Sequence, residues 1–293
     1  MKVRLFSNFG DSPELLRLLA RQTPELNHDK YKSLQFVNDH KYEAAVCFNW
    51  PVEKLRTPTN KNIGFLMEPP ELENLDLSKL KQIGVYYTPV FEHGKLLGSR
   101  FRHTVMKMLL HTPPIQNNNG PSQKQIRMSM IVSSKAQTPF QIKRVAIYRA
   151  LLATSLPIEF YGRDLMRGSD ARIKGSLPSL DKQGGLVRYA MSLAFENSQC
   201  PECISEKLYD CLISNCIPIT NAPGVSKYLI PNSYAYLDFA QSVEKIVEQI
   251  TRLHSMTQQQ IAGFDSPVAA MKKEVLGGSL SLAEAIYQAM KQL

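Results

Sequence analysis

The sequence predicts an α/β protein built of two doubly wound, Rossmann-like domains facing a cleft. Three observations predict it. Short apolar runs alternate with helical patterns, as parallel sheets with crossover helices require. The alternation stops at a stretch dense in Pro, Asn and Gly, His111–Ser122, and begins again after it. The chain has 293 residues, 43% of them hydrophobic, enough for one large or two medium domains. This reading gives an N-terminal α/β domain over 1–115, a linker over 116–124 and a second α/β domain over 125–265. A C-terminal helix over 266–293 is placed to pack back on the first domain.

The elements follow in order. Residues 1–8 read as a strand, with Val3 and Leu5 alternating with polar neighbours. Residues 12–21 read as a helix, with Ser12 as N-cap and Pro13 at the first helical position. Tyr42–Asn49, Asn62–Met67 and Ile83–Val90 read as further short strands. After the break, Met128–Ser133 is a strand, and Thr138-Pro139 caps a helix from Phe140 to about Ala153. Ile158–Tyr161, Tyr189–Phe195 and Ile217–Thr220 are strands, with a helix from Ser205 to about Ser214. Val243, Ile246, Val247, Ile250 and Leu253 form one helical face, read as core rather than a partner surface. A last helix is expected over Val275–Leu293.

The formal charge is +9, and residues 121–190 carry twelve Lys or Arg against four Asp or Glu. Such an excess fits nucleic acid, a membrane surface or a single anionic ligand. No apolar run reaches the roughly 20 residues needed to span a bilayer, and the N-terminus reads as a strand, not a signal peptide. Five cysteines, Cys47, Cys200, Cys203, Cys211 and Cys216, are an odd number in a large chain. That argues against a secreted disulfide scaffold and for a reduced, cytoplasmic location. Cys200-x-x-Cys203 has zinc or redox spacing, but Cys211 and Cys216 follow too closely for a usual zinc module. Buried small hydrophobes are the preferred reading.

The segment richest in chemistry runs from Tyr189 to Ile219. An apolar strand ends in the polar group Glu196-Asn197-Ser198, and a loop leads to Ser205, a good N-cap, with Glu206 and Lys207 in the first turn. A lysine there opposes the helix dipole. It fits either a solvated first turn or an anion held at the helix start by free N–H groups. The helix ends near Asn215, which tolerates a left-handed C-cap.

The pattern Phe195-Glu196-Asn197-Ser198, then Ser205-Glu206-Lys207, then Ile217-Pro218-Ile219 resembles the donor-binding signature of the α-1,3-fucosyltransferases, glycosyltransferase family 10. The upstream residues Met130–Ser134, Arg144, Tyr148–Leu151 and Phe160–Arg163 resemble the same family in order and approximate spacing. The resemblance covers roughly residues 128–222 and is weak in the N-terminal half.

It implies a GT-B fold, with a sugar nucleotide in the C-terminal domain and the acceptor approached from the N-terminal one. It places Lys207 and Arg144 on the diphosphate, Glu206 on the nucleotide ribose, and Glu196, Asn197, Ser198 and Ser205 in the donor site. Glu68, in Gly64-Phe-Leu-Met-Glu-Pro-Pro70, matches the family's catalytic base. The implied reaction is an inverting transfer, most simply of L-fucose from GDP-fucose to a hydroxyl of a glycan acceptor.

These roles are chemically coherent. An inverting transfer needs a carboxylate to take the acceptor proton and cations to meet the departing diphosphate. No Asp-x-Asp occurs, so no obligatory metal or other cofactor is expected beyond the sugar nucleotide as co-substrate. Glu68 has an alternative as a turn residue beside two prolines, and Arg144 one as a surface cation. Ser205 stands for the family's usual Thr, and Cys200-Pro-Glu-Cys203 departs from its pattern, which keeps a UDP-sugar such as UDP-xylose as the alternative donor. His93 and His103 read as solvated loop residues. The rival classes are a nucleic-acid binder using 121–190 as a basic face, and a non-catalytic glycan-binding homologue. The first rival needs exposed aromatics among its cations, whereas Phe140, Tyr148, Phe160, Tyr161 and Tyr189 mostly read as buried.

Overall fold

A computed structural model describes residues 1–23, 31–68, 77–104, 109–116, 119–163, 165 and 170–293. The chain divides into two compact units, Met1–Leu110 with Leu276–Leu293, and His111–Val275.

The first unit begins with β1 (Lys2–Ser7), α1 (Ser12–Gln22), β2 (Gln35–Phe36), β3 (Ala44–Phe48) and β4 (Asn62–Phe65). It continues with α2 (Leu77–Leu80), β5 (Val85–Thr88), α3 (His93–Leu97) and β6 (Phe101–His103). The strands lie in the order β2-β1-β3-β4-β5-β6, every pair parallel. The order reverses between β1 and β3, creating a switch point at their carboxyl ends. Ala44–Phe48 is buried throughout, as a strand covered on both faces must be. Phe6, Cys47, Leu66, Leu80, Ile83 and Tyr86 pack together beside the sheet, and each large apolar side chain so buried contributes about 1.5–3 kcal/mol.

Asp11, not Ser12, caps α1: its Oδ1 accepts from the Glu14 N–H at 2.9 Å. Ser12 Oγ instead donates to Asn38 Oδ1 at 3.2 Å, a partner 26 residues away that local pattern cannot reveal.

The second unit contains β7 (Ile126–Ile131), α4 (Pro139–Leu152), β8 (Ile158–Tyr161), β9 (Ile173–Gly175), β10 (Tyr189–Leu193) and α5 (Glu206–Ile213). After these come β11 (Ile217–Thr220), β12 (Ala235–Tyr236), α6 (Val243–His254), α7 (Gln258–Ala262) and α8 (Asp265–Gly277). Its sheet runs β12-β11-β10-β7-β8-β9, again parallel, with the switch point between β7 and β10. Thr138 caps α4 through a capping box with Gln141, and Pro139 fills the first turn, as the sequence predicts. Arg172 closes the other end of α4, donating to the carbonyls of Leu151, Leu152, Thr154 and Leu156 while pairing with Asp170 at 2.7 Å. A cation there satisfies orphan carbonyls and complements the helix dipole.

The helix expected over Val275–Leu293 is instead two, α8 and α9 (Leu282–Met290), because Ser281 starts a new helix by accepting from the Glu284 N–H. In the first unit, Tyr31 meets the α9 residue Tyr287 edge to face at 5.3 Å and donates its hydroxyl to Glu284 at 3.1 Å. All five cysteines are free and buried, consistent with their reading as small hydrophobes.

Candidate functional site

In a parallel sheet, ligands bind beyond the carboxyl ends of the strands at the switch point. In the second unit that is where β7 and β10 end. Beyond β10, Phe195 packs on Phe239 with ring centres 4.9 Å apart, anchoring the turn that carries Glu196. Asn221, just past β11, clamps the Glu196 backbone, accepting from its N–H at 2.6 Å and donating to its carbonyl at 3.3 Å. The Glu196 carboxylate then accepts from the Ser205 N–H at 2.8 Å and from Ser205 Oγ at 2.7–2.9 Å. Ser205 is also the N-cap of α5, accepting from the Lys207 N–H. Glu196 therefore ties the end of β10 to the start of α5.

Lys207 Nζ lies 3.3 Å from Glu196 Oε2, 2.9 Å from Ser205 Oγ and 3.9 Å from Glu206 Oε1. Arg144, on α4, is only 4% exposed. Its guanidinium donates to Asn197 Oδ1, the carbonyl and hydroxyl of Ser133, and the Lys135 carbonyl. Thr138 Oγ1 donates to the Asn197 carbonyl at 2.8 Å, and Ser198 Oγ accepts from the Cys200 N–H at 2.9 Å. Glu196, Asn197, Ser198, Ser205, Glu206, Lys207 and Arg144, picked from the sequence as a set, thus stand together around the starts of α4 and α5. Arg144 is a buried brace, not a surface cation.

Sequence reading missed a second ionic layer beneath them. Lys182 Nζ lies 3.0 Å from both Glu206 Oε1 and Asp210 Oδ2, and Asp210 is fully buried. The His111 N–H donates to Asp210 Oδ1 at 2.8 Å, while the Lys182 N–H donates to the His111 carbonyl at 2.9 Å. Burial opposes ionisation of Glu206, but Lys182 and then Lys207 outweigh it and hold its carboxyl well below the ordinary value. For Asp210 burial wins, and its pKa is raised. Gly224 supports the Cys200–Ile204 loop by close approach: a Cβ there would stand 1.8 Å from the Pro201 carbonyl oxygen.

The first unit gathers a different set at its own switch point. Asn49, buried and in the left-handed region at φ 63°, donates from Nδ2 to Asn8 Oδ1 at 3.0 Å and to Glu68 Oε1 at 3.2 Å. Its Oδ1 accepts from the Met67 N–H at 2.9 Å. Glu68 is half-buried just beyond β4, held by this amide.

The two histidines separate. His93 is buried, contrary to its reading as a solvated loop residue, because it opens α3 and its Nδ1 bonds Thr88 Oγ1 at 2.9 Å. His103 is exposed and stacks on Phe91 at 4.3 Å.

The basic stretch is also accounted for in part. Lys124, Lys143, Arg144 and Arg172 bond backbone carbonyls, and Lys174 and Lys182 pair with acids. Tyr148, Phe160, Tyr161 and Tyr189 are buried, so these rings offer no stacking platform. Among the described residues no group of three or more His, Cys, Asp or Glu is arranged to hold a metal ion.

Residues 121–264 match the family model for glycosyltransferase family 10 (fucosyltransferase), C-terminal domain. The chain carries a family 10 glycosyltransferase domain. Relatives agree with that assignment. A 4-galactosyl-N-acetylglucosaminide 3-alpha-L-fucosyltransferase of Gorilla gorilla gorilla is 32% identical over 114 residues, 38% of this chain and 29% of that protein. One from Hylobates lar is also 32% identical over 114 residues, 28% of its length. The chain thus aligns with under a third of either relative. An α1,3-fucosyltransferase crystallised with GDP-fucose is similar over 100% of this chain and 89% of that one, at TM-score 0.56 and 16% identity. HepE of Anabaena, in complex with UDP and glucose, reaches 0.59 at 10% identity over 100% of both chains. WaaG, a glycosyltransferase involved in lipopolysaccharide biosynthesis, reaches 0.57 at 10% identity over 99% of both. The two parallel α/β units are the GT-B fold, and the family 10 domain lies in the second of them.

Proposed function

We propose that the protein is an inverting glycosyltransferase that moves L-fucose from GDP-fucose onto a hydroxyl of a glycan acceptor. One observation carries the reading: Lys207, Glu206, Ser205 and Glu196 stand at the start of α5, at the switch point of the family 10 domain. A helix start with a lysine in its first turn suits a diphosphate, and an ionised carboxylate beside it suits ribose hydroxyls. The similar α1,3-fucosyltransferase structure holds GDP-fucose, which supports that donor.

In this reading the acceptor hydroxyl oxygen attacks the anomeric carbon as the bond from that carbon to the β-phosphate oxygen breaks. The hydroxyl proton passes to the Glu68 carboxylate, which Asn49 orients through Oε1. The charge left on the diphosphate is met by Lys207 and by the amides at the start of α5, with no metal required. Arg144 adds its charge and fixes Asn197 and the turn after β7. Glu196 acts on the donor through the backbone it ties and through Lys207.

A thermal-shift panel of GDP-fucose, GDP, UDP, UDP-xylose and a DNA oligomer tests the reading. Stabilisation by GDP and GDP-fucose, with no response to DNA, is the expected result. A response to the uridine nucleotides alone would reassign the donor to a UDP-sugar. Silence towards every nucleotide would overturn the proposal.

A further inference from the structure

We propose that Lys182 is the positioning residue that gives the donor site its preference for ribose, by holding Glu206 ionised and oriented. The inference rests on the donor-site reading above and extends it to a residue outside the motif, 24 positions before Glu206 in the chain.

Glu206 is enclosed, its side chain 16% exposed, and an enclosed carboxylate without a cation takes up a proton. A protonated carboxyl has a donor on one oxygen. An ionised one is acceptor only and can receive two neighbouring hydroxyls, the pattern of a ribose diol. Lys207 alone does not secure that state, because it stands 3.9 Å from Glu206 and closer to Glu196 and Ser205. Lys182 does, at 3.0 Å. Both lysines approach Oε1, and among the described residues Oε2 accepts no hydrogen bond.

Lys182 is itself fixed from both ends. Its ammonium is shared with the fully buried Asp210, and its backbone N–H donates to the His111 carbonyl. The His111 N–H returns to Asp210 Oδ1, closing a ring that joins the chain before β10 to α5. A lysine so held is a rigid charge, and rigidity is what transmits a preference to the carboxylate above it.

The experiment compares GDP with 2′,3′-dideoxy-GDP by calorimetry, or UDP with its dideoxy form if the panel selects uridine. The quantity read is the ratio of their dissociation constants. The wild type should favour the ribonucleotide by about tenfold or more, and both Glu206→Gln and Lys182→Met should bring the ratio near one. In the Glu206→Gln background, Lys182→Met should change the ratio no further, as expected when one residue acts through the other. Lys182→Gln keeps a donor without the charge and should behave as Lys182→Met, serving in its place if that variant does not fold. If Glu206→Gln collapses the ratio and the Lys182 variants leave it intact, the Lys182 inference fails alone. If Glu206→Gln leaves it intact, the ribose role of Glu206 fails and the donor-site reading with it. Equal weakening of both ligands by the Lys182 variants would mark a general structural role and overturn the proposal.

Discussion

The two switch points of this molecule are furnished with different contacts. At the ends of β7 and β10, Lys182 and Lys207 interlock with Glu196, Glu206 and Asp210, while Arg144 braces Asn197 and Ser133. At the ends of β1, β3 and β4, Glu68 is held by the neutral amide of Asn49, itself braced by Asn8. A diphosphate is recognised by cations, so ion pairs that an incoming anion can re-partition suit the first place. At the second, the Asn49 amide donates to Glu68 Oε1 and so orients a carboxylate that is to accept a proton. The contrast is one of chemistry and not of scaffold, since both sheets are parallel and both sites lie beyond strand ends.

The comparison breaks first at Glu68. Glu68→Gln keeps the Asn49 contact geometry and removes the base, so turnover should fall about 10²–10⁴-fold while GDP binding stays near wild type. Turnover within a few-fold of wild type would remove Glu68 from the chemistry. Lys207→Ala probes the other side: losing a charge-assisted contact worth about 1.5–3 kcal/mol should weaken GDP on the order of ten- to a hundredfold, read by calorimetry. An unchanged affinity would mean the charges at α5 serve folding alone.

The smallest effect concerns pH. Burial lowers the pKa of His93, with Glu92 opposing, and likewise lowers those of His111 and His254 from the ordinary 6.5. A histidine with a depressed folded pKa binds fewer protons folded than unfolded. Its contribution is therefore full above about pH 6.5 and is lost as pH falls below it. Asp210, raised by burial, acts in the opposite sense, so the histidine part is isolated by substitution. The melting temperature should drop by a few degrees between pH 7.5 and 5.5, and by less in His93→Gln. An equal drop in both proteins would show that burial of His93 carries no pH cost.

Much of the second site is legible in the sequence because it is local. Strand, polar turn, capped helix and strand follow within about thirty residues, so Glu196 to Lys207 are spaced by the chain itself. Lys182, Asn221 and Asn49 are not legible, because each acts on a residue brought near by the parallel topology and not by sequence distance. Asn49 and Glu68 lie nineteen residues apart, just past the ends of the neighbouring strands β3 and β4. The same reasoning explains the elements that were missed. Gln35–Phe36 and Ala235–Tyr236 are two-residue edge strands, too short for a period of two to register. Ser281 splits the last helix through a single cap. His93 reads as solvated until Thr88 is seen to hold it. The +9 charge, which invites a nucleic-acid reading, is partly consumed in capping helices and satisfying carbonyls, as Arg172 does for α4.

The return of Leu276–Leu293 to the first unit sets an order of events during synthesis. The second unit is one unbroken stretch, and every strand it needs has left the ribosome before α9 is made. The first unit is interrupted, and α9, with Leu282, Ile286 and Met290 buried, is translated after the whole of the second unit. Domains fold as units as the chain emerges. The later-encoded unit can therefore finish first, and the unit that carries Glu68 waits for α9.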